Sequence, residues 1–127
     1  LADRALPAPA RGVRIMTAPL LNRCLVLEAP VSMPDGAGGL VESWAELGTL
    51  WAEVSPRSGR EALGETGPVA INAFRIIVRG APMGASSRPV PGQRFRQGLR
   101  VFRVLAVTEL DPGGMYLICE TREEVAA

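Results

Sequence analysis

The residues that could do chemistry in this sequence are concentrated in one polar stretch, S-P-R-S-G-R-E, at residues 55–61. A serine nucleophile needs a neighbouring base, and paired carboxylates can divide acid and base work between them. Ser58 is the candidate nucleophile here, and Glu61 and Glu65 have the spacing to share one face of a helical turn. The stretch is therefore either an incipient active site or a loop that contacts something large.

The composition of the chain removes the groups that would activate such a site. Histidine is absent from all 127 residues, and every one of the 14 basic residues is arginine. The commonest general base, the commonest metal ligand and an activating lysine are therefore missing. The glycines of P-D-G-A-G-G at 34–39 precede neither a lysine nor a helical pattern, and no EF-hand spacing occurs. We interpret the chain as a non-enzyme that needs no cofactor and no metal.

The two cysteines and the apolar runs indicate in which cellular compartment the protein works. Cys24 and Cys119 lie far apart in strand-like runs, which predicts buried thiols and not a disulfide or a metal site. No apolar run approaches the roughly 20 residues that a membrane helix needs, and residues 1–15 have no apolar signal-peptide core. We expect a protein of the reducing cytosol with no membrane partner.

Alternating apolar residues around the polar stretch predict strands. Gly- and Pro-rich turns such as D-P-G-G at 111–114 separate them, and helical periodicity is nearly absent. The predicted fold class is all-β, a small barrel of about six antiparallel strands with long loops at 55–68 and 80–92. The predicted strands are residues 22–28, 40–44, 49–54, 69–79, 99–109 and 115–122.

The first 19 residues have a different character from the remainder. They are rich in alanine and proline and show no sustained period. We therefore divide the chain into an extended N-terminal arm, residues 1–19, and a barrel domain, residues 20–127. Because a Pro-rich arm rarely orders itself, we expect it to pack on a neighbouring subunit.

A nucleic-acid-binding barrel is the rival class. The formal net charge is only +1, so no bulk electrostatic attraction favours nucleic acid. Aromatic side chains for base stacking are few. Several arginines could nevertheless line one sheet surface, facing either solvent, a second subunit or nucleic acid: Arg75, Arg79, Arg94, Arg96, Arg100 and Arg103.

Four segments in this order resemble a known family. They are M-P-D-G-A-G-G-L-V-E-S-W at 33–44, T-L-W-A-E-V-S-P-R-S-G-R-E at 49–61, F-R-I-I-V-R-G at 74–80, and the stretch from R-F-R-Q-G to L-I-C-E at 94–120. The sequence resembles the head-tail joining proteins of long-tailed phages and gene transfer particles, also called head-completion or stopper proteins. The resemblance covers about residues 20–122.

The resemblance implies a structural role in the neck of a particle that is assembled in the bacterial cytoplasm. Such subunits form a ring below the portal and its adaptor protein, close the DNA channel, and offer a docking surface to a tail terminator or tail tube protein. DNA passes through without sequence-specific binding. A hexamer would match a six-fold tail, and a dodecamer and a tail-terminator role remain alternatives.

The resemblance also answers the question that the polar stretch raises. In relatives the loop after the W-A-E-V strand projects toward the channel axis, so the stretch is interpreted as a loop that contacts a ring neighbour or the channel. The predicted channel or gating residues are Arg57, Ser58, Gly59, Arg60, Glu61 and Glu65. The predicted subunit-interface residues are Arg75, Arg79 and Arg100.

Overall fold

The computed structural model describes residues 18–57 and 72–124, and within them it confirms an all-β barrel of six antiparallel strands. The sheet order is β1-β2-β3-β6-β5-β4, and β4 pairs with β1 to close the barrel. Over the described residues, no helix has the length and apolar character to cross a membrane. The strands are β1 (Arg23–Pro34), β2 (Leu40–Pro56), β3 (Ala73–Arg79), β4 (Arg94–Gln97), β5 (Arg100–Glu109) and β6 (Tyr116–Glu124).

The core follows from the two-residue period of the strands. Alternate side chains of a strand point to opposite faces, and the inward set is mainly apolar, with buried Thr121 and the Arg100–Glu123 pair at one barrel end as polar members. The β3–β6 register places Ile76 opposite Cys119 and Val78 opposite Leu117. The buried cluster consists of Leu25, Leu27, Ala52, Ile76, Val78, Phe95, Phe102, Val104, Leu117 and Cys119.

Strand β2 joins two segments that the sequence predicts as separate strands. Residues 40–44 and 49–54 belong to one continuous strand, because a bulge absorbs the break in alternation. Leu27 pairs with Gly48 and Glu28 pairs with Glu46, so Leu47 is the extra residue. Gly48 has φ +144°, a conformation that side chains rarely adopt.

Strand β4 was not predicted from the sequence. It has only four residues, and two of them are arginines, so its alternation is too short to recognise. Phe95 is nonetheless fully buried and pairs with Leu27 of β1 and Phe102 of β5. This one strand closes the barrel.

The β1–β2 hairpin is longer than the barrel needs. Pairing runs out to Pro34 and Leu40, whereas β4 contacts β1 only at residues 26–28. At the tip, the Asp35 carboxylate accepts hydrogen bonds from the backbone N–H groups of Ala37 (2.7 Å) and Gly39 (3.0 Å). The D-G-x-G-G segment is therefore the capped turn of a protruding ribbon.

Three sequence predictions meet different outcomes in the connecting segments. The long loop after β3 contains no strand, and Arg88 donates to the carbonyl of Ala81 (2.9 Å) to brace it. The gating residues Ser58, Gly59, Arg60, Glu61 and Glu65, and the arm up to residue 17, lie outside the described residues. The proposed arm and barrel domains therefore remain a prediction.

The prediction of two buried thiols is correct for only one cysteine. Cys119 is fully buried, and burial raises the pKa of its thiol to about 12. Cys24 is exposed, because it alternates with the inward-facing Leu25 and its side chain falls on the outer surface.

Core packing predicts a large cost for Phe102→Ala. Phe102 is fully buried and packs edge-to-face on Phe74 at 5.3 Å between ring centroids. Truncation should lower the free energy of unfolding by about 3–5 kcal/mol, measured by urea denaturation. Leu99→Ala is the matched control, since Leu99 is 89% exposed in the β4–β5 turn. Equal effects of the two substitutions would contradict the assigned core.

Candidate functional site

The outer surface of the barrel carries an ionic cluster where β1, β2 and β4 meet. Glu28 is buried although it faces outward, with 5% of its surface exposed. Its carboxylate accepts hydrogen bonds from Arg94 Nε (2.6 Å) and Arg96 Nε (2.8 Å). Arg96 also donates through Nη2 to Glu46 (3.0 Å). We call these four residues the Glu28 cluster, and it joins the outer faces of the three strands.

Two opposing effects act on the Glu28 carboxyl. Burial raises its pKa, but the hydrogen bonds and charges of Arg96 and Arg94 together outweigh burial and hold the pKa below its ordinary value of 4.5. Glu28 also raises the pKa of Arg96 through the hydrogen bond that they share. A buried carboxylate with two guanidinium partners is a structural ion pair, because its acceptor oxygens are already occupied.

Trp44 covers this cluster from β2. The guanidinium carbon of Arg94 lies 4.1 Å from the centre of the Trp44 ring, and that of Arg103 lies 5.1 Å from it. Arginine over an indole face is a favourable cation–π arrangement. The two arginines therefore cover the Trp44 ring, and this ring is not free to stack on nucleic-acid bases.

A second ionic cluster lies where β2 enters the predicted gating loop. Arg57 Nη1 donates to a carboxylate oxygen of Glu120, and Arg75 Nε lies 3.6 Å from the other oxygen. The backbone N–H of Arg57 also donates to the carbonyl of Ala73 (3.0 Å). The two ends of the loop are thus tied together at the barrel wall.

The predicted interface residues do not share one surface. Arg75 and Arg79 alternate with the inward residues of β3 and lie on its outer face, and Arg79 stacks near Tyr116 (5.7 Å). Arg100 instead belongs to the inward set of β5 at one barrel end, where it donates to both carboxylate oxygens of Glu123 (2.8 and 3.0 Å). Their role at an interface remains a prediction.

Arg100 stabilises the barrel end at which it lies. Its guanidinium carbon is 4.9 Å from the Phe102 ring centre and 5.5 Å from that of Phe74. The hydrogen bonds from Arg100 lower the pKa of Glu123. Arg100 therefore covers the aromatic core residues and keeps its charge paired.

Among the predicted gating residues, the structure describes only Arg57. Ser58, Gly59, Arg60, Glu61 and Glu65 lie outside the described residues. Across residues 18–57 and 72–124, no group of three or more His, Cys, Asp or Glu side chains could hold a metal ion.

Sequence reasoning missed the Glu28 cluster and the apolar outer patch around Trp51. Glu28 ends an apolar run, and the arginines that pair with it lie in the unrecognised strand β4, so only the β1–β4 register brings them together. Trp51 is 59% exposed. The signal for its exposure was present, since it alternates with Leu50 and Ala52 on β2.

The described residues form one class of fold, a small closed β-barrel with paired charges on its wall and a protruding two-stranded ribbon. The family model of phage head completion proteins matches residues 16–124, and the chain belongs to that family.

Two solved structures resemble the chain closely. A chain from the virion of a native gene transfer agent particle is 53% identical, with a TM-score of 0.69, and the match covers 87% of this chain and 100% of the other. Protein SF1141 from Shigella flexneri 2a is 23% identical with a TM-score of 0.64, covering 88% and 100% respectively, which indicates a shared fold. The comparison with curated proteins found no match.

The Glu28 cluster predicts acid sensitivity of the barrel. Because the folded pKa of Glu28 is lowered, its stabilisation is complete above the ordinary value of 4.5 and is lost as pH falls through the lower folded pKa. Glu28→Gln should cost about 1–3 kcal/mol at pH 7 and should flatten the fall in stability below pH 4.5. The measurement is thermal unfolding from pH 7 to pH 3, with Glu42→Gln, at an exposed glutamate outside the cluster, as control. Identical pH profiles of stability for wild type and Glu28→Gln would contradict the role of Glu28 in acid sensitivity.

Proposed function

We propose that this protein is the stopper subunit of a phage or phage-like particle, a ring component that closes the DNA channel after packaging and docks the tail. The observation that carries this proposal is family membership over residues 16–124. The 53% identity with a chain of a gene transfer agent virion supports a place in such a particle. The proposed partners are the portal-side adaptor and a tail terminator or tail tube protein, and we favour a hexamer.

The barrel suits a ring that must resist the pressure of packaged DNA. Each of its strands has a neighbour on both sides in the closed order, so the wall has no free edge at the level where β4 meets β1. Cross-strand ion pairs at Glu28 and Glu120 join neighbouring strands on the outside. A wall braced in this way would keep its shape if the loop that it carries opened and closed.

The loop between β2 and β3 is the proposed gate. Its base is fixed by the backbone hydrogen bond from Arg57 to Ala73 and by the contact of Arg57 with Glu120. Gly59, Gly64 and Gly67 within it favour changes of backbone conformation. In a ring, Glu61 and Glu65 would place like charges around the axis and repel phosphate during ejection, while Arg60 would pair with a neighbour's glutamate in the closed state.

The charge pattern favours a DNA conduit over a nucleic-acid-binding barrel. Arg57, Arg75, Arg94 and Arg96 each lie beside a glutamate, so most of this positive charge is compensated within the subunit by Glu28, Glu46 and Glu120. Tight binding needs arginines that neutralise phosphates, and it falls steeply with salt. We therefore propose passage of DNA without sequence-specific binding and without catalysis.

The gate is tested by replacing residues 58–66 with a short Gly-Ser linker. The variant should still give rings and DNA-filled heads, but the heads should lose DNA before tails attach, because the charged loop that closes the channel is gone. The measurement is the nuclease-resistant DNA content of tailless heads over time. A Gly-Ser replacement of residues 83–87 in the loop after β3 is the control. If the first variant retains DNA as wild type does, the gate lies elsewhere.

The N-terminal arm is tested by deletion of residues 1–15. If the arm packs on a neighbouring subunit, the melting temperature of the isolated barrel should stay nearly unchanged while assembly into particles weakens. Thermal unfolding and the yield of tailed particles measure the two effects separately. Unfolding of the isolated domain by the deletion would show instead that the arm is part of its own core.

A further inference from the structure

The protruding β1–β2 hairpin carries an uncharged strip on one face. Strand β1 has no extra residue, so this face continues the one that bears Leu25 and Leu27 inside the barrel. The register pairs Ala29 with Ala45, Val31 with Ser43 and Met33 with Val41. We call these six residues the hairpin strip. The core-facing pattern thus extends past the rim of the barrel.

Nothing among the described strands covers this strip. Strand β4 pairs with β1 only up to Glu28, and β3 pairs with β2 only from Ala52 onward. Met33 is 53% exposed and Val41 is 51% exposed. An isolated two-stranded ribbon is at best marginally stable in water, and a contiguous exposed apolar surface marks an interaction site.

A second apolar surface lies near the opposite end of β1 and β2. Trp51, Arg79 and Tyr116 lie side by side on the outer faces of β2, β3 and β6, since Ala52 pairs with Val78 and Arg79 pairs with Tyr116. One groove beside them is lined by Leu21, Thr49, Leu50, Trp51 and Arg79. A second groove is lined by Ala18, Pro19, Leu110, Asp111, Pro112, Met115 and Tyr116. We call this surface the Trp51 face.

The two surfaces cannot meet within one subunit. Cys24 pairs with Trp51, and Val31 lies seven residues further along the same extended strand. That separation is roughly 23 Å at about 3.3 Å per residue. Two patches fixed so far apart on one continuous strand can be covered by each other only in different molecules.

The charges around the surfaces are complementary. Residues 29–46 contain no basic residue, and of their three carboxylates Glu46 is paired with Arg96 whereas Asp35 and Glu42 have no ion pair among the described residues. The Trp51 face presents the exposed guanidinium of Arg79. No described carboxylate lies within ion-pair distance of Arg79, and on the same face Glu53 accepts from the backbone N–H of Leu20 and Asp111 from that of Tyr116. The guanidinium of Arg79 on the Trp51 face can therefore pair with a carboxylate of the hairpin from another copy.

We propose that the hairpin strip of one copy docks on the Trp51 face of a second copy of this chain. The contact joins two different patches, so it is head-to-tail, and repetition of such a contact generates a ring when the rotation closes. Ring closure rests on the proposed function. The inference adds the partner and the residues of the subunit contact, with Arg79 at its polar edge.

The native Cys24 provides the reporter for the test, because it is exposed and directly opposite Trp51. Particles are assembled with the Val41→Cys chain as their head-completion protein and treated with a short bismaleimide. Cross-linking of residue 41 to Cys24 of the next copy should give a ladder of bands above the dimer. The Val41→Cys, Cys24→Ser chain should give no such ladder. Leu99→Cys, at an exposed turn outside both surfaces, is the matched control and should also give none.

Ser43→Cys is a second strip variant, used if Val41→Cys particles do not form. The docking is wrong if both strip variants give no ladder, or if the ladder persists after Cys24→Ser. Images of the neck of wild-type particles distinguish a failure of the docking proposal from a failure of the stopper proposal. A ring of this chain without cross-links between the strip and Cys24 leaves the stopper proposal standing and overturns the docking. A neck without such a ring overturns the stopper proposal.

Discussion

The barrel depends on a short contact, the pairing of β1 with β4. Val26, Leu27 and Glu28 pair with Arg96, Phe95 and Arg94, and no other described pairing closes the sheet. The contact has an apolar inner side, where Phe95 enters the core, and a charged outer side, where both arginines bond to Glu28. Both sides are needed, because four residues of β4 supply few backbone hydrogen bonds. Without this contact β1 and β4 would present free edges.

Because the barrel closes at residues 26–28 of β1, the remainder of the β1–β2 hairpin protrudes as a ribbon. β4 ends its pairing at Glu28, so the remainder of β1 and the first half of β2 have only each other. The bulge at Leu47 and Gly48 marks the place where β2 leaves the barrel wall. A ribbon beyond a closed barrel keeps its backbone edges available, and its uncharged face resembles half of a core. Both features favour the contact between copies of this chain that we propose.

Most of the fold could be predicted from the sequence, whereas little of the surface could. The strands at 99–109 and 115–122 were recognised because long alternation and a D-P-G-G turn are local signals. β4 was missed because four residues carry too little periodicity. Both cysteines were expected inside, but Cys24 lies on the outer face of its strand. The six arginines that could have lined one surface divide between the outer wall and the barrel end, where Arg100 caps the core.

The sequence by itself determined the class of fold, the family and the absence of histidine and lysine, because composition, alternation and turn residues are read along the chain. The tertiary structure decided which charges meet. Glu28 is 66 residues from Arg94, and Arg57 is 63 residues from Glu120. Strand register sets such pairs, and register depends on bulges and on barrel closure. Only the closed sheet also shows that Met33 and Val41 continue the core face into solvent.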